Sequence, residues 1–245
     1  MDRKPDLIRY NIFQAFPNIC AFTTTKSTLP IDRIRYSNVP ENKAKLADVL
    51  ALKTNQMVYP DQTHSSCVAE IQEAPSSVIS ETDALVTNQT GLCLCVQTAD
   101  CVPVLLFDPE AKVIAAVHAG WRGTVGGIVE KAIEKMSNNY GSSAENIVAA
   151  IGPSISPEIY EVGDEVVAAA RKSIPNVELT LHKNGMGNYH FNLWEANRQL
   201  LLKNGVSVQN IEVLGECSFS ETKKYYSARR DGIDTGRMVS GIMIL

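Results

Sequence analysis

Three residues of this 245-residue chain carry side chains suited to holding a metal ion: His64 in YPDQTHSS, Cys101 in QTADCVP and His118 in AAVHAGWRGT. Two imidazoles and one thiolate suit Zn²⁺. Three protein ligands leave a fourth position for water or substrate, the arrangement of a catalytic zinc rather than a structural one. Such a zinc lowers the pKa of a bound water toward about 7. The same residues offer a metal-free chemistry, with Cys101 as nucleophile and His118 as its base. Spacing alone also fits a core thiol and two hydrogen-bonded histidines, because the three come from separate segments and free cysteines are commonly buried. Asp100, directly before Cys101, is a candidate acid–base group, or a group that holds a neighbouring loop or orients a histidine.

A second set of residues suits an anion. HAGWRGTVGG runs from a strand through glycines into a helix, with Thr124 expected as N-cap. Arg122 and the helix N-terminus can receive a phosphate. YYSARRDGIDTGR carries Arg229, Arg230 and Arg237 among small residues. Arg229 and Arg230 are candidate partners of Arg122 on one ligand. The plainer reading is a tight turn with solvated arginines. His182 and His190, in HKNGMGNYH, are expected in a solvated loop.

The elements that must position these residues are partly legible. Residues 92–97, 102–107 and 112–118 are apolar, β-branched runs of strand length, and Asp108-Pro109-Glu110 reads as a turn. If the second and third runs are antiparallel neighbours, the start of one lies opposite the end of the other, and Cys101 and His118 share one sheet edge. Strands are also expected at 66–71, 147–151, 211–214 and 239–245. Helices are expected at 41–52, 125–139, 164–173 and 192–204, the last ending at Gly205. The first 60 residues otherwise read as irregular. Strands interleaved with helices predict an α/β (α+β) fold, a single layered domain over 1–245 with a mixed β-sheet flanked by helices.

Bulk properties narrow the functional classes. The chain is 44% hydrophobic and 20% charged, with a net charge of −4, so nothing in its balance points to nucleic acid or an anionic membrane. No apolar run reaches the roughly 18 residues of a membrane helix, and MDRKPDLIRYNIFQAF lacks a signal-peptide pattern. A cytoplasmic location is expected, with no obligate protein partner. The six cysteines form no CxxC pair, and most are expected as buried thiols.

DQTHSS, ETDALVTN, QTADCVPVLLFDP, AAVHAGWRGT, IGPSISPEIYEVG and YYSARRDGIDTGR occur in this order. Together, over about residues 55–245, they resemble the YfiH family, whose members carry the labels laccase domain and polyphenol oxidase. The family is described as purine nucleoside phosphorylases with adenosine deaminase activity. The resemblance implies a fold related to a family of cysteine-containing bacterial toxins, with His64, Cys101 and His118 as ligands of a metal that is usually zinc. It implies phosphorolysis of adenosine, inosine and methylthioadenosine, with purine nucleoside and phosphate as the small-molecule partners. One departure stands out. Where the family carries a segment like FSTRxGGxS, this chain has FTTTKSTLP. Thr25 replaces the arginine and Lys26 lies next to it, and a point charge does not reproduce a bidentate fork.

Other readings remain beside this one. A multicopper oxidase needs several imidazole-ligated coppers, and four histidines cannot provide them, although a single copper competes well for an N/S site. A metal-independent Cys101–His118 amidohydrolase, editing a cell-wall precursor, is a second enzyme class. A purine- or metal-binding regulator is a third class, without turnover.

Overall fold

In the computed structural model, which describes residues 6–28, 40–77 and 79–245, the turn at Asp108 organises the longest hairpin. Asp108 Oδ1 accepts from the backbone N–H groups of Glu110 (2.9 Å) and Ala111 (3.0 Å). The chain therefore reverses, and Val102–Asp108 pairs antiparallel with Val113–Ala119, Pro103 opposite His118.

In chain order the described residues form β1 (Leu7–Ile8), β2 (Ile19–Thr24), α1 (Pro40–Val49), β3 (Met57–Val58), β4 (Val68–Glu70), β5 (Ala84–Thr87), β6 (Cys93–Thr98), β7 (Val102–Asp108) and β8 (Val113–Ala119). There follow α2 (Trp121–Val125), α3 (Ile128–Tyr140), β9 (Val148–Ile151), β10 (Glu161–Val162), α4 (Asp164–Ser173), β11 (Leu181–Lys183), β12 (Tyr189–Phe191), α5 (Leu193–Lys203), β13 (Ile211–Val213), α6 (Ala228–Asp231) and β14 (Met238–Ile244). One sheet has the order β13-β9-β7-β8-β5-β4, a second β1-β2-β14-β6-β3, and a small third β10-β12-β11.

The two large sheets pack face to face. Leu105, Phe107, Ile114 and Ala116 of the six-stranded sheet meet Leu94, Val96, Ile242 and Ile244 of the five-stranded one. The opposite face of the six-stranded sheet, with Val104, Leu106, Ala115 and Val117, is covered by Ile128, Ala132 and Met136 of α3 and Leu193, Ala196 and Leu200 of α5. On the outer face of the five-stranded sheet, Phe22, Cys93, Cys95 and Met243 lie under Leu46 and Ala47 of α1. The layers run helix, sheet, sheet, helix. Strands buried on both faces explain the unbroken apolar runs in the sequence, and each fully buried Leu, Ile or Val stabilises the fold by about 1.5–3 kcal/mol. Gly241 is required by this packing, since a Cβ there would lie 2.6 Å from Phe22 Cζ.

The expected mixed α/β class is present, with its strands divided between sheets. Helix α4 spans the expected residues. Helix α5 is capped by Asn192, whose side chain accepts from Glu195 N–H at 3.0 Å, and is followed by Gly205 at φ 92°. Three local expectations need correction. Thr124 is no N-cap: it lies inside the short α2, the chain breaks at Gly126 and Gly127 (φ 73°), and the longer helix starts at Ile128. The Thr124 hydroxyl instead accepts from Asn197 Nδ2 at 3.2 Å. The first 60 residues contain β2, which pairs along β14 inside the five-stranded sheet. Its polar look hid it, because Thr23 is buried and its hydroxyl bonds Tyr10 and Ser240, each at 2.6 Å. The HKNGMGNYH stretch forms a hairpin, with His182 opposite His190. No helix among the described residues is long and apolar enough to cross a membrane.

Candidate active site

Three inner strands of the six-stranded sheet bring their ends to one edge. Cys101 directly precedes β7, His118 is next to last in β8, and Asp83 directly precedes β5, whose Ala84 lies opposite Val117. His64 arrives from the loop before β4, in the left-handed region at φ 61°. The donor atoms of His64, Cys101 and His118 all lie within 4.8 Å of one another, with Cys101 Sγ 3.8 Å from His64 Nε2. The two imidazoles meet edge to face, their centroids 4.9 Å apart at 74°. Gly120 leaves room for them: a Cβ there would sit 3.0 Å from Cys101 Sγ and 3.1 Å from His64 Cδ2.

Asp83 holds this edge together, and sequence reasoning missed it. Its carboxylate is fully buried. Oδ1 accepts from His118 Nδ1 (2.7 Å) and His64 N–H (3.1 Å), and Oδ2 from Ser65 N–H and Oγ (both 2.7 Å) and Thr63 N–H (3.2 Å). Burial opposes its charge, but the bonds from His118 and Ser65 outweigh burial and hold the carboxyl at about 2. With Nδ1 bonded to Asp83, His118 presents Nε2 to a metal, the arrangement that fixes the ring and raises its basicity. Burial pushes the Cys101 thiol up, but the charges and hydrogen bonds of His118 and His64 bring it down to about 6. Burial lowers His118, but Cys101 and Asp83 raise it to about 9. These shifts favour a thiolate beside an imidazolium.

The donor set fits zinc. Zinc–nitrogen and zinc–sulfur bonds of about 2.0–2.3 Å set tetrahedral ligand atoms about 3.5 Å apart; here Cys101 Sγ and His64 Nε2 are 3.8 Å apart and the whole set lies within 4.8 Å. His182 and His190 sit on the small third sheet, where His190 Nδ1 donates to Pro157 O at 2.8 Å, and they contribute nothing to this cluster.

The cluster opens into a cleft of about 440 Å³ whose other walls include Ile155, Tyr160, Arg229, Ile233 and Arg237. Arg229 lies over the Tyr160 ring, 5.2 Å from its centroid. Asp100 is also on the wall, at φ 88°, and both carboxylate oxygens are engaged: Oδ1 accepts from Ser218 Oγ (2.6 Å) and Oδ2 from Arg229 N–H (2.7 Å). It ties α6 to the sheet edge, the loop-holding alternative to an acid–base role. Neither Arg230 nor Arg122 lines the cleft. Arg230 donates to Asp231 and to the carbonyls of Ser218, Phe219 and Tyr225. Arg122 is exposed and stacks on Trp121 at 4.3 Å, while its charge still acts on Tyr160. Lys26 points elsewhere, donating to Thr222 O at 2.9 Å, and Thr25 is buried against Asp6. Leu29 and Pro30, the end of FTTTKSTLP, lie outside the described residues.

Residues 35–245 match the family model described as multi-copper polyphenol oxidoreductase laccase. A purine nucleoside phosphorylase of Bacteroides thetaiotaomicron is 37% identical, over 97% of this chain and 96% of its own. A protein named adenosine deaminase RL5, from an unknown prokaryotic organism, is 36% identical over 97% of this chain and 98% of its own. The crystal structure of the Bacillus licheniformis hypothetical protein YfiH superposes with a TM-score of 0.89 at 30% identity, covering 98% of this chain and 97% of that one.

Proposed function

This chain belongs to the multi-copper polyphenol oxidoreductase laccase family, and on that premise we propose that it is a purine nucleoside phosphorylase, acting through one domain over 1–245. Its substrates are adenosine, inosine and methylthioadenosine, and it also deaminates adenosine. The observation that carries this reading is that the His64/Cys101/His118 cluster and Arg229 line one cleft. At about 440 Å³ it falls in the size range of small-molecule sites. His64, Cys101 and His118 hold zinc, which acts as a Lewis acid and acidifies water when bound. Asp83 keeps His118 oriented. Arg229, posed by Asp100 and Tyr160, holds phosphate against C1′ of the ribose, with Arg122 adding positive charge from outside. Phosphate oxygen bonds to C1′ as the bond from C1′ to the purine breaks, and the purine leaves with that electron pair and takes up a proton. Deamination adds water at C6 and releases ammonia.

The names of the relatives support this reading over a laccase, as does the histidine count: only His182 and His190 remain, and both lie on another sheet. The test is metal analysis of the purified protein together with an adenosine assay with and without phosphate. Near-stoichiometric zinc and phosphate-dependent adenine release bear the proposal out. Activity without phosphate on polyphenols alone sinks it.

A second reading has one observation in its favour. Cys101, His118 and Asp83 also stand as nucleophile, base and orienting carboxylate. A metal-free hydrolase is the correct reading if the active protein contains no metal and alkylation of Cys101 abolishes turnover.

A further inference from the structure

Ile233 is 69% exposed. Leu179, Met186, Val208, Val213 and Leu245 are the other exposed large aliphatic residues among those described, and none of them borders the cleft. Ile233 does, in company with Ile155 and Tyr160. A single exposed aliphatic on a loop is ordinary, but this loop is pinned. Thr235 N–H donates to Gly232 O at 3.2 Å, closing a turn entered through Gly232 at φ 88°. The Arg237 guanidinium then reaches back into the same loop, donating to the carbonyls of Ile233 (2.7 Å), Gly236 (3.0 Å) and Thr235. Three carbonyls converging on one guanidinium fix a short tongue, and its tip places an aliphatic side chain on the wall of the cleft.

We propose that Ile233 is the contact for the face of the purine ring, packing the base against the Ile155 and Tyr160 side of the cleft while phosphate lies at Arg229. The inference rests on the nucleoside reading and adds the orientation of the substrate. Phosphate is charged and ribose carries hydroxyls over most of its surface. The base alone offers a flat, uncharged face to an aliphatic side chain, and covering Ile233 removes apolar surface from water. A face contact reads no edge substituents, so Ile233 sets affinity for purines without separating adenosine from inosine.

The experiment compares Ile233→Ala and Ile233→Phe with the unaltered protein. The readouts are KM for adenosine, inosine and phosphate, and direct binding of free adenine by calorimetry, with metal content and Tm as controls. Ile233→Ala is expected to raise both nucleoside KM values and the adenine Kd by one common factor of about tenfold. The phosphate KM stays within about twofold, and Ile233→Phe restores adenine affinity. Unchanged adenine binding in Ile233→Ala overturns the proposal, as does an equal rise in the phosphate KM. Ile233-dependent adenine binding in a protein that cleaves no nucleoside supports the base contact and sinks the phosphorylase reading instead.

Discussion

The two sides of the cleft are each organised by an aspartate near the start of an inner strand, and the two aspartates do different work. Asp83, ahead of β5, is wholly buried and joins the ring nitrogen of His118 to the backbone of residues 63–65. Asp100, ahead of β7, sits at φ 88° and joins the Ser218 segment to α6, through Ser218 Oγ and the N–H of Arg229. The Asp83 side is built on paired strands, so its geometry is fixed by the sheet. The Asp100 side is built on a four-residue helix and a turn, held by the Asp100 carboxylate and by the Arg230 bonds to the carbonyls of Ser218, Phe219 and Tyr225. A change at the first should therefore disturb metal and stability together, and a change at the second should disturb anion binding alone.

The sharpest break is at the sulfur. Cys101→Ala is expected to lose bound metal, measured by mass spectrometry, and to reduce adenosine turnover by about a thousandfold or more. Asp83→Ala comes next. Metal affinity is expected to fall about 10–100-fold. Leaving buried donors without their carboxylate lowers stability by about 3 kcal/mol, read from denaturant unfolding. Its pH signature has a definite sign. The folded carboxyl titrates at about 2, below its ordinary value of 3.8. The stabilisation is therefore complete above pH about 4 and disappears as pH falls through about 2. Asp83→Asn should flatten acid unfolding in that window; an unchanged acid profile would remove Asp83 from its assigned place.

Asp100→Ala is expected to keep its metal while the phosphate KM rises about tenfold, with Asp100→Asn intermediate because one acceptor oxygen remains. Loss of metal in Asp100→Ala would show that the two sides are one unit. The smallest effect distinguishes the neighbouring arginines. Arg230→Ala is expected to lower stability by about 1–2 kcal/mol through its lost carbonyl bonds, with the phosphate KM within about twofold, whereas Arg229→Ala raises that KM strongly. Steady-state kinetics on both variants at constant ionic strength decides it.

Much of the metal side was legible because it is local. Two apolar runs and an aspartate turn are enough to set Cys101 and His118 at one sheet edge, since strand length and turn position fix the register of a hairpin. Asp83 was not legible, because its partnership needs β5 to lie beside β8, and strand order is not written in any single segment. The threonine-rich β2 was missed for a related reason: its polar groups are satisfied by Tyr10 and Ser240, from distant parts of the chain.

By itself, then, the sequence determined the mixed α/β class, the helices and strands with strong periodicity, the hairpin that joins a thiol to an imidazole, and the motifs that carry the family resemblance. Tertiary structure alone decided which aspartate serves the histidine and which arginine of an adjacent pair faces the cleft. It also decided that Lys26 is turned away and that Ile233 stands on the wall of the cleft. Those outcomes depend on side-chain direction at the ends of elements and on contacts between segments more than 100 residues apart, such as Asp100 with Ser218 and Arg229, and no local pattern encodes them.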